Sequence, residues 1–353
     1  MQKRKVGIIG HFGGNENILD GQTIKTRILH DELKATTDWT LFTVDTYYKN
    51  KNLLKLIADT LKCLISAKDI IILLSRNGMN FYFPFLYLWK NVFHIRVYHD
   101  VIGGNLDKYV TKNPRFIKYL NSFVVNWVET DSLRVKLEKL GIENCKVIPN
   151  FKRLNVIETK TVQYEYDGIF RFCIFSRIMK EKGVEIAIEA IEQINKTAQK
   201  EICQLDLYGR IDEQYKERFQ SIMKQTSESI AYKGEIPYTK SVETIKKYYA
   251  LLFPTYWEGE GFPGTIIDAF SAGIPVIATD WNCNSEIVEN KVNGILYPND
   301  EMENLQSAIV WLITNEDQRQ RMGNNCVLCA KKYHPDIYIK KMVELIVNRG
   351  EML

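Results

Sequence analysis

Short apolar segments alternate with amphipathic ones along nearly the whole sequence, and this alternation limits the possible folds more than any other feature. Residues 70–74 contain no polar side chain, whereas residues 183–196 place Val, Ala and Ile at helical spacing. A strand that is apolar on both faces is typical of a parallel sheet covered by helices. Strand–helix alternation predicts the same connections. The sequence therefore predicts an α/β fold with doubly wound parallel sheets.

The predicted elements form two series, separated by a polar stretch without clear periodicity at residues 150–168. Strands are predicted at residues 6–9, 39–44, 70–74, 94–98, 123–129 and 146–148, and then at 170–176, 204–208, 230–233, 251–254 and 275–279. Helices are predicted at residues 22–34, 53–67, 132–140, 183–196, 242–249, 265–272, 304–314 and 317–333, with a last helix to about residue 348.

A length of 353 residues fits two domains of about 150 residues each. We predict an N-terminal domain at residues 1–155, a C-terminal domain at residues 156–335, and a helix at residues 336–353 that packs back on the N-terminal domain. A cleft between two such domains is a favoured place for a ligand.

Charge is unevenly distributed between the two halves. Residues 1–150 hold 22 Lys and Arg against 14 Asp and Glu, while the remaining residues hold 25 against 29. A basic first half indicates an anionic partner, such as a membrane surface or a phosphorylated acceptor. A solvated surface with a modest basic excess is the alternative. The lysines are dispersed, which disfavours nucleic acid.

Cysteine usage and apolar segments bear on location. The seven cysteines are an odd, scattered set, which indicates a reduced, cytoplasmic protein. We expect no signal peptide and no membrane span, because no segment approaches about 18 apolar residues. Residues 81–89 are very apolar, and a buried helix is favoured there over a lipid-facing patch. Association with the inner face of the membrane is kept as a hypothesis.

Two carboxylates mark the segment 258–280. Glu260 lies on a Gly/Pro loop, and Asp268 follows eight residues later on a predicted helix. Carboxylates accept hydrogen bonds from sugar hydroxyls, and N–H groups at a helix start bind phosphate. Loop and helix start are formed by Gly261, Pro263, Gly264 and Thr265. Each carboxylate alone is more simply structural, but together they predict a site for a polyhydroxylated, phosphorylated ligand.

A second loop combines cations with a helix start. Arg177 and Lys182 lie five residues apart between a predicted strand and the helix that opens at Gly183. A phosphate there meets both the helix dipole and two cationic side chains. A solvated basic loop is the alternative interpretation.

These motifs give the chain a resemblance to retaining glycosyltransferases of family 4, which have the GT-B fold. The family motif of two Glu separated by seven residues stands here as Glu260 to Asp268, with Asp in place of the second Glu. The phosphate loop of the family resembles residues 177–183. Further matching segments in family order are residues 208–209, 233–235, 284–288 and 293–294, with weaker ones at 101–106 and 149–152.

The resemblance is closest to bacterial enzymes of capsular polysaccharide and O-antigen synthesis. It implies two Rossmann-like doubly wound domains that face a central cleft. It also implies retaining transfer of a sugar from a nucleotide diphosphate-sugar, of UDP or GDP type, to a lipid-linked glycan acceptor. The reaction then belongs to surface polysaccharide biosynthesis.

The same resemblance implies roles for individual residues. Glu260 contacts the transferred sugar near its 3-hydroxyl, Asp268 binds the ribose, and Arg177 and Lys182 bind the diphosphate. The remaining donor-binding positions are Gly234, Glu235 and Ile236 around the base, and Gly261, Phe262, Gly264 and Thr265 near phosphate and sugar. Two cations and a helix N terminus stabilise the charge that grows on the leaving diphosphate. We therefore expect neither a metal nor another cofactor.

The first half is expected to bind the acceptor. The glycine loop after the first strand supplies Gly13, Gly14, Gly21 and Gln22. His99 lies at the carboxyl end of a predicted strand, where ligands bind in such sheets, and resembles a cleft histidine of the family. We count His99 with Glu260, Arg177 and Lys182 as a catalytic candidate, and His11 as a weaker one.

Three other functions remain open. A dehydrogenase is the first, but glycines 7, 10 and 13 do not match the Gly-x-Gly-x-x-Gly fingerprint, and Asp45 lies beyond the expected spacing of about 20 residues. A GT-B sugar epimerase is the second. A catalytically silent sugar-nucleotide-binding homologue is the third, and the Asp at position 268 keeps it open.

Overall fold

The structure is a computed structural model that describes residues 3–16, 20–154, 156–157, 164, 166–298 and 301–348. Two compact units are present: unit 1 comprises residues 1–150 and 335–353, and unit 2 comprises residues 151–334. The boundary between the two units therefore lies at residue 150, five residues before the predicted boundary at residue 155. Asn155, residues 158–163 and Glu165 of the predicted linker lie outside the described residues.

Unit 1 contains a six-stranded sheet in which every pair of neighbouring strands is parallel. Its strands are β1 (Lys5–Gly10), β2 (Thr40–Asp45), β3 (Asp69–Leu73), β4 (Arg96–Asp100), β5 (Val125–Val128) and β6 (Cys145–Val147). The strand order is β2-β1-β3-β4-β5-β6. β3 is buried at all five positions, as expected for a strand covered on both faces. Strand order reverses between β1 and β3, which is the topological switch point.

Six helices of unit 1 connect these strands. They are α1 (Gly21–Thr36), α2 (Leu53–Ser66), α3 (Arg76–Phe93), α4 (Leu106–Lys112), α5 (Arg115–Leu120) and α6 (Asp131–Lys139). Asp20 caps α1 by accepting a hydrogen bond from the Thr23 amide. The hydroxyls of Thr60 and Tyr82 lie 3.0 Å apart and join α2 to α3. The two helices therefore lie side by side on one face of the sheet.

Unit 2 repeats the architecture with a second six-stranded parallel sheet. Its strands are β7 (Phe170–Phe175), β8 (Cys203–Tyr208), β9 (Ile230–Gly234), β10 (Ala250–Phe253), β11 (Val276–Thr279) and β12 (Gly294–Tyr297). The order is β12-β11-β10-β7-β8-β9. The switch point of this sheet lies between β7 and β10, whose carboxyl ends are therefore a favoured place for a ligand.

The helices of unit 2 are α7 (Val184–Ala198), α8 (Lys216–Met223), α9 (Ser241–Ile245), α10 (Gly264–Ser271), α11 (Asn284–Ile287), α12 (Met302–Thr314) and α13 (Glu316–Ala330). The apolar stripe predicted for α7 is buried in the core of this unit, as at Ala187, Ile191 and Ile194. α10 packs on α13 and α9. Unit 2 therefore covers both faces of its sheet with its own helices.

The last helix, α14 (Pro335–Val347), belongs to unit 1 and packs against α1. Arg4 Nη1 donates a hydrogen bond to the Ile346 carbonyl oxygen at 3.0 Å. Ile339, Met342 and Ile346 are buried on the packed side of the helix. Unit 1 is thus assembled from two segments that are separated by all of unit 2.

The doubly wound parallel fold is confirmed, with differences in single elements. β12 was not predicted, the strand expected at residues 94–98 lies at Arg96–Asp100, and the helix expected at 242–249 ends at Ile245. The interpretation of residues 81–89 as a buried helix is wrong for one side of α3, because Phe81 and Leu88 are exposed. In the described ranges, no helix combines the length and apolar composition needed to cross a bilayer.

Candidate functional site

The two loops singled out in the second half of the sequence meet at the switch point of unit 2. One loop follows β7 and the other follows β10, and these strands are neighbours. Lys182 Nζ donates a hydrogen bond to Glu260 Oε2. The same oxygen accepts a hydrogen bond from the Thr255 hydroxyl at 3.0 Å. A basic residue and an acidic residue 78 positions apart are thereby held in one place.

Lys182 and Glu260 are both buried, at 8% and 7% exposure. The Lys182 ammonium also lies 4.8 Å from the ring centroid of Trp257 and 5.8 Å from that of Phe253, within the range of cation–π contacts. Charges interact more strongly in such surroundings than in water. An ammonium has three donors, so Lys182 can hold Glu260 and still donate to a phosphate.

Glycines let the loop after β7 pass close to its neighbours. Gly183 has a φ of 71°, and a Cβ there would lie 2.1 Å from the carbonyl oxygen of Pro254. Gly209, with a φ of 134°, would place a Cβ 1.9 Å from the Ser176 oxygen. Both contacts are with backbone, which cannot be moved cheaply. These two positions therefore require glycine.

Arg177 differs from Lys182 although both were predicted as phosphate ligands. Its side chain is 52% exposed, and its Nη1 lies 3.8 Å from Asp212 Oδ2. A distance of this length at an exposed site gives a weak ion pair. Arg177 therefore holds its charge on the solvent side of the loop, where a ligand can compete for it.

The helix start after Glu260 is built from small residues. α10 begins at Gly264, and Pro263 in the N-cap position has no side chain that accepts a hydrogen bond. The Thr265 hydroxyl is buried without a hydrogen-bond partner. Upstream, the Gly261 carbonyl accepts from the Cys283 thiol at 3.1 Å, and the ring of Phe262 is buried. This helix start can donate N–H groups to an anion.

Asp268 is buried and paired with a residue that the sequence analysis did not assign to the site. Lys152 Nζ lies 2.8 Å and 2.9 Å from the two carboxylate oxygens of Asp268. The segment 149–152 had been matched to the family, but no role had been given to its lysine. A contact across 116 residues leaves no local signal in the sequence. Lys152 fixes the Asp268 carboxylate on α10.

The loop predicted to bind the base starts two strands from Lys182, because β8 lies between β7 and β9. Gly234 ends β9 with a φ of 79°, and a Cβ there would meet no atom within 4 Å. Glu235 is exposed and Ile236 is half-buried. The backbone at Gly234 thus borders open space, which a planar ring can occupy.

In unit 1 the glycine loop after β1 is held by Asp45. Its carboxylate accepts hydrogen bonds from the amides of Phe12 at 2.8 Å and Gly14 at 2.7 Å. Gly13 and Gly14 have φ values of 83° and 57°. Gly21 is the first residue of α1, and Gln22 Nε2 donates to the Leu73 carbonyl oxygen at 3.3 Å. The acceptor-side residues therefore border the switch point of this sheet.

His99 is fully buried in unit 1. Its Nδ1 lies 3.0 Å from Asn126 Oδ1, and its ring packs against those of Phe83 and Phe123. Burial lowers the pKa of His99 to about 4, so the imidazole is neutral at pH 7. Nε2 is buried without a partner. The catalytic role of His99 stays a prediction. The weaker candidate His11 pairs with the Thr23 hydroxyl at 2.7 Å.

A buried charge cluster next to His99 escaped the sequence analysis. Lys25 Nζ lies 2.7 Å from Asp100 Oδ1 and 2.9 Å from Glu129 Oε1. Burial raises the pKa of Asp100 to about 6, against the opposing effect of Lys25. Burial alone lowers the pKa of Lys25, but both carboxylates outweigh it and keep the pKa above its usual value. Within the described residues, no three His, Cys, Asp or Glu side chains are grouped to hold a metal ion.

Comparison with known proteins adds a family to this geometry. The family model of glycosyl transferases group 1 matches residues 157–326. An uncharacterized glycosyltransferase of Methanocaldococcus jannaschii is 23% identical over 261 residues, which cover 71% of this chain and 62% of the relative. A second one from the same organism is 29% identical and is matched over 60% of its length. The chain thus spans about 60% of the length of these curated relatives.

Solved structures share the whole fold at low identity. Sucrose-phosphate synthase from Thermosynechococcus elongatus superposes with a TM-score of 0.78 at 15% identity, covering 99% of this chain and 100% of that one. Anabaena HepE in complex with UDP and glucose gives a TM-score of 0.74 at 14% identity, covering 98% and 100%. These likenesses establish a GT-B fold. Over residues 157–326, which include Lys182 and Glu260, the chain is therefore similar to the glycosyl transferases group 1.

Proposed function

We propose that the chain is a glycosyltransferase that takes a sugar from a nucleotide diphosphate-sugar. The observation that carries this proposal is the meeting of Lys182 and Glu260 at the switch point of unit 2. A cation suited to phosphate and a carboxylate suited to sugar hydroxyls lie side by side there. The exposed Arg177 and the start of α10 provide further groups for an anion.

Each residue has a separate task in this proposal. Lys182 and Arg177 bind the diphosphate, Glu260 accepts hydrogen bonds from the transferred sugar, and Asp268 accepts them from the ribose. The open backbone at Gly234 borders the base. Lys152 holds the carboxylate of Asp268 in a fixed position. The complex of HepE with UDP and glucose favours a donor of UDP type.

The transfer proceeds with retention and without a metal. The bond between C1 of the sugar and the phosphate oxygen breaks, and the bonding electrons remain on the diphosphate. The acceptor hydroxyl attacks C1 from the same face and passes its proton to the leaving phosphate oxygen. Lys182 and Arg177 stabilise the negative charge on the diphosphate, and fixed charges of this kind cost no reorganisation during the reaction.

The acceptor is a lipid-linked glycan that enters on the side of unit 1, at the loop of Gly13 and Gly14. The protein works in the cytoplasm at the inner face of the membrane, in synthesis of a bacterial surface polysaccharide. A similarity to poly(glycerol-phosphate) alpha-glucosyltransferase of Bacillus subtilis, 23% identical over 194 residues that cover 27% of that protein, favours an acceptor that contains phosphate. The basic charge of residues 1–150 is consistent with an anionic acceptor or membrane.

A panel of UDP-, GDP- and ADP-sugars tests the proposal, with released nucleotide as the readout in the presence and absence of EDTA. We expect turnover of one donor class that is unchanged by EDTA. Turnover abolished by EDTA and restored by a divalent cation would refute the metal-independent mechanism. The anomeric configuration of the product, measured by NMR, tests retention.

The same panel separates the other functions. Stabilisation by NAD and by no sugar nucleotide would exclude a transferase. Binding of a sugar nucleotide without turnover, even with lipid-linked acceptors, would indicate a silent homologue. Conversion of the donor into an epimer without transfer would indicate an epimerase.

A further inference from the structure

Two neighbouring helices of unit 1 leave apolar stripes uncovered. On α2 the exposed residues Leu54, Ile57, Leu61 and Ile65 follow one another at helical spacing. On α3 the spacing continues with Phe81, Leu88 and Val92. Exposure reaches 81% at Leu54 and 68% at Ile65 and Leu88. We call these seven residues the α2–α3 face.

α2 has a second apolar side that is used for folding. Leu56, Cys63 and Leu64 are buried in the core of unit 1. A surface helix of a globular protein normally has one apolar side, and a helix that is apolar on nearly all sides is covered on all of them. Folding of unit 1 therefore explains only half of the apolar residues of α2.

The chain around the α2–α3 face is strongly basic. Residues 49–96 contain eight Lys and Arg but only two Asp. Asp69 is buried against Arg4 and Arg96, and Asp59 is paired with Lys55 at 2.6 Å. Lys62 is exposed on α2 itself. The surroundings of the apolar stripes thus carry a clear positive excess.

A basic cavity adjoins the α3 stripe. It has a volume of about 380 Å³ and is lined by Leu88 of the stripe together with Tyr87, Lys90 and Lys118. The ammonium groups of both lysines lie within 5.5 Å of the Tyr87 ring centroid. Two cations beside an exposed leucine offer a place for an anionic group that is attached to an apolar chain.

We propose that the α2–α3 face docks unit 1 on an anionic lipid bilayer. Helices of this type lie in the plane of the bilayer surface, with apolar side chains among the acyl chains and lysines at the headgroups. A second copy of the chain is a poorer occupant, because a two-fold contact brings the same basic surfaces together. The inference deepens the membrane contact of the proposed function by naming its surface.

Vesicle co-sedimentation of the whole chain tests the inference. Vesicles of phosphatidylcholine with phosphatidylglycerol are compared with phosphatidylcholine alone, at low and high salt. We expect binding to the anionic vesicles that weakens at high salt. The variant Leu54→Gln/Ile65→Gln/Leu88→Gln should lower the bound fraction about tenfold, since it removes the inserted apolar groups. Lys55→Glu/Lys62→Glu should also lower it.

The matched control is Val310→Gln/Leu328→Gln, which changes exposed apolar residues of unit 2. It should bind vesicles as the unchanged chain does. The inference is overturned if the unchanged chain fails to bind anionic vesicles, or if the glutamine variant of the α2–α3 face binds equally well. It is also overturned if the glutamine variant of the α2–α3 face is a monomer while the unchanged chain is a dimer, and both bind vesicles equally.

Nucleotide release from a soluble donor, measured on the same samples, keeps this inference separate from the proposed function. All variants of the α2–α3 face should keep the release rate of the unchanged chain. If a variant loses vesicle binding but releases nucleotide at the normal rate, the substitution affects membrane docking and not the reaction. Vesicle binding without release by the unchanged chain contradicts the proposed function alone.

Discussion

Units 1 and 2 have six-stranded parallel sheets with a matching reversal of strand order, yet they use buried charge differently. In unit 2, each buried carboxylate near α10 has its own lysine: Glu260 pairs with Lys182, and Asp268 pairs with Lys152. In unit 1, the single ammonium of Lys25 is shared by Asp100 and Glu129. One ammonium contacts one carboxylate in each pair of unit 2, but the ammonium of Lys25 contacts two carboxylates in unit 1.

The different arrangement of buried charges indicates that two units with the same fold use their charged residues for different purposes. Near the switch point of unit 2, each carboxylate is already paired with a lysine. A ligand can therefore bind to oriented charged groups without an added free-energy cost of neutralising them. In unit 1, the glycine loop occupies the switch point, and the ammonium of Lys25 on α1 contacts Asp100 and Glu129 inside the unit. We expect the buried cluster of unit 1 to contribute to stability, and the pairs of unit 2 to hold the charged groups of the proposed donor site.

The largest effect is expected at Lys25. Lys25→Met removes the ammonium that contacts the buried carboxylates of Asp100 and Glu129. Breaking such a buried arrangement costs about 3–5 kcal/mol of unfolding free energy. Urea denaturation of the whole chain measures this loss. Lys34→Met on the same helix is the control, because Lys34 is exposed. Equal midpoints for the two variants would contradict a stabilising role of the cluster.

Lys182 should matter most for turnover. Lys182→Ala removes a buried donor to the leaving diphosphate, and we expect a loss of about 10²–10³ in kcat. Arg177→Ala should cost about tenfold, since Arg177 is half exposed and its interactions are screened by solvent. Lys180→Ala, an exposed residue of the same loop, is the matched control. Unchanged rates in Lys182→Ala would show that the phosphate assignment is wrong.

Asp100 and His99 should oppose each other in the pH dependence of stability. Between about pH 4 and 6, folded Asp100 keeps a proton that it loses when unfolded, so its contribution falls as the pH rises. Folded His99 lacks a proton that it gains when unfolded below pH 6.5, so its contribution grows over the same range. The two contributions largely cancel in the unchanged chain.

Asp100→Asn should uncover the contribution of His99. The unfolding free energy of this variant, relative to the unchanged chain, should rise by about 1.4 kcal/mol per pH unit between pH 4 and 6. His99→Gln should produce the opposite slope. Chemical denaturation at several pH values measures both. Parallel pH profiles for all three proteins would argue against these protonation states.

The smallest effect is expected at Lys152. Lys152→Met frees the Asp268 carboxylate from its fixed position, which should raise the KM for the donor about tenfold, or about 1.4 kcal/mol of binding. The value of kcat should change less, because Lys152 acts through the ribose ligand. Arg153→Met, at an exposed neighbouring position, is the control. A fall in kcat with an unchanged KM would assign Lys152 to the reacting groups instead.

The sequence was sufficient for strands β1 to β11 and for both loops around Lys182 and Glu260, because these signals are local. Apolar runs and glycines at loop ends reveal them. The short helices α4, α5, α8 and α11 were not predicted. β12 was missed because only three apolar residues, at positions 295–297, stand between a glycine and a proline. The exposed side of α3 could not be predicted, because composition does not tell which side a neighbour will cover.

The pairing of charges lay outside local signals. Lys25 is one lysine in a helix of mixed composition, and its partners come from the ends of β4 and β5, 75 and 104 residues away. Lys152 likewise reaches Asp268 only after α10 has folded against the segment that follows β6. Such contacts depend on tertiary packing. Lys182 and Glu260, which are in contact in the structure, both follow predicted strands.

The position of α14 has a consequence for the order in which the chain folds. Ile339 and Met342 complete the apolar surface against α1, yet the ribosome makes them only after the whole of unit 2. Unit 1 begins first during synthesis and can be finished only after its neighbour. Until α14 has been made, the side of α1 that contacts it stays uncovered.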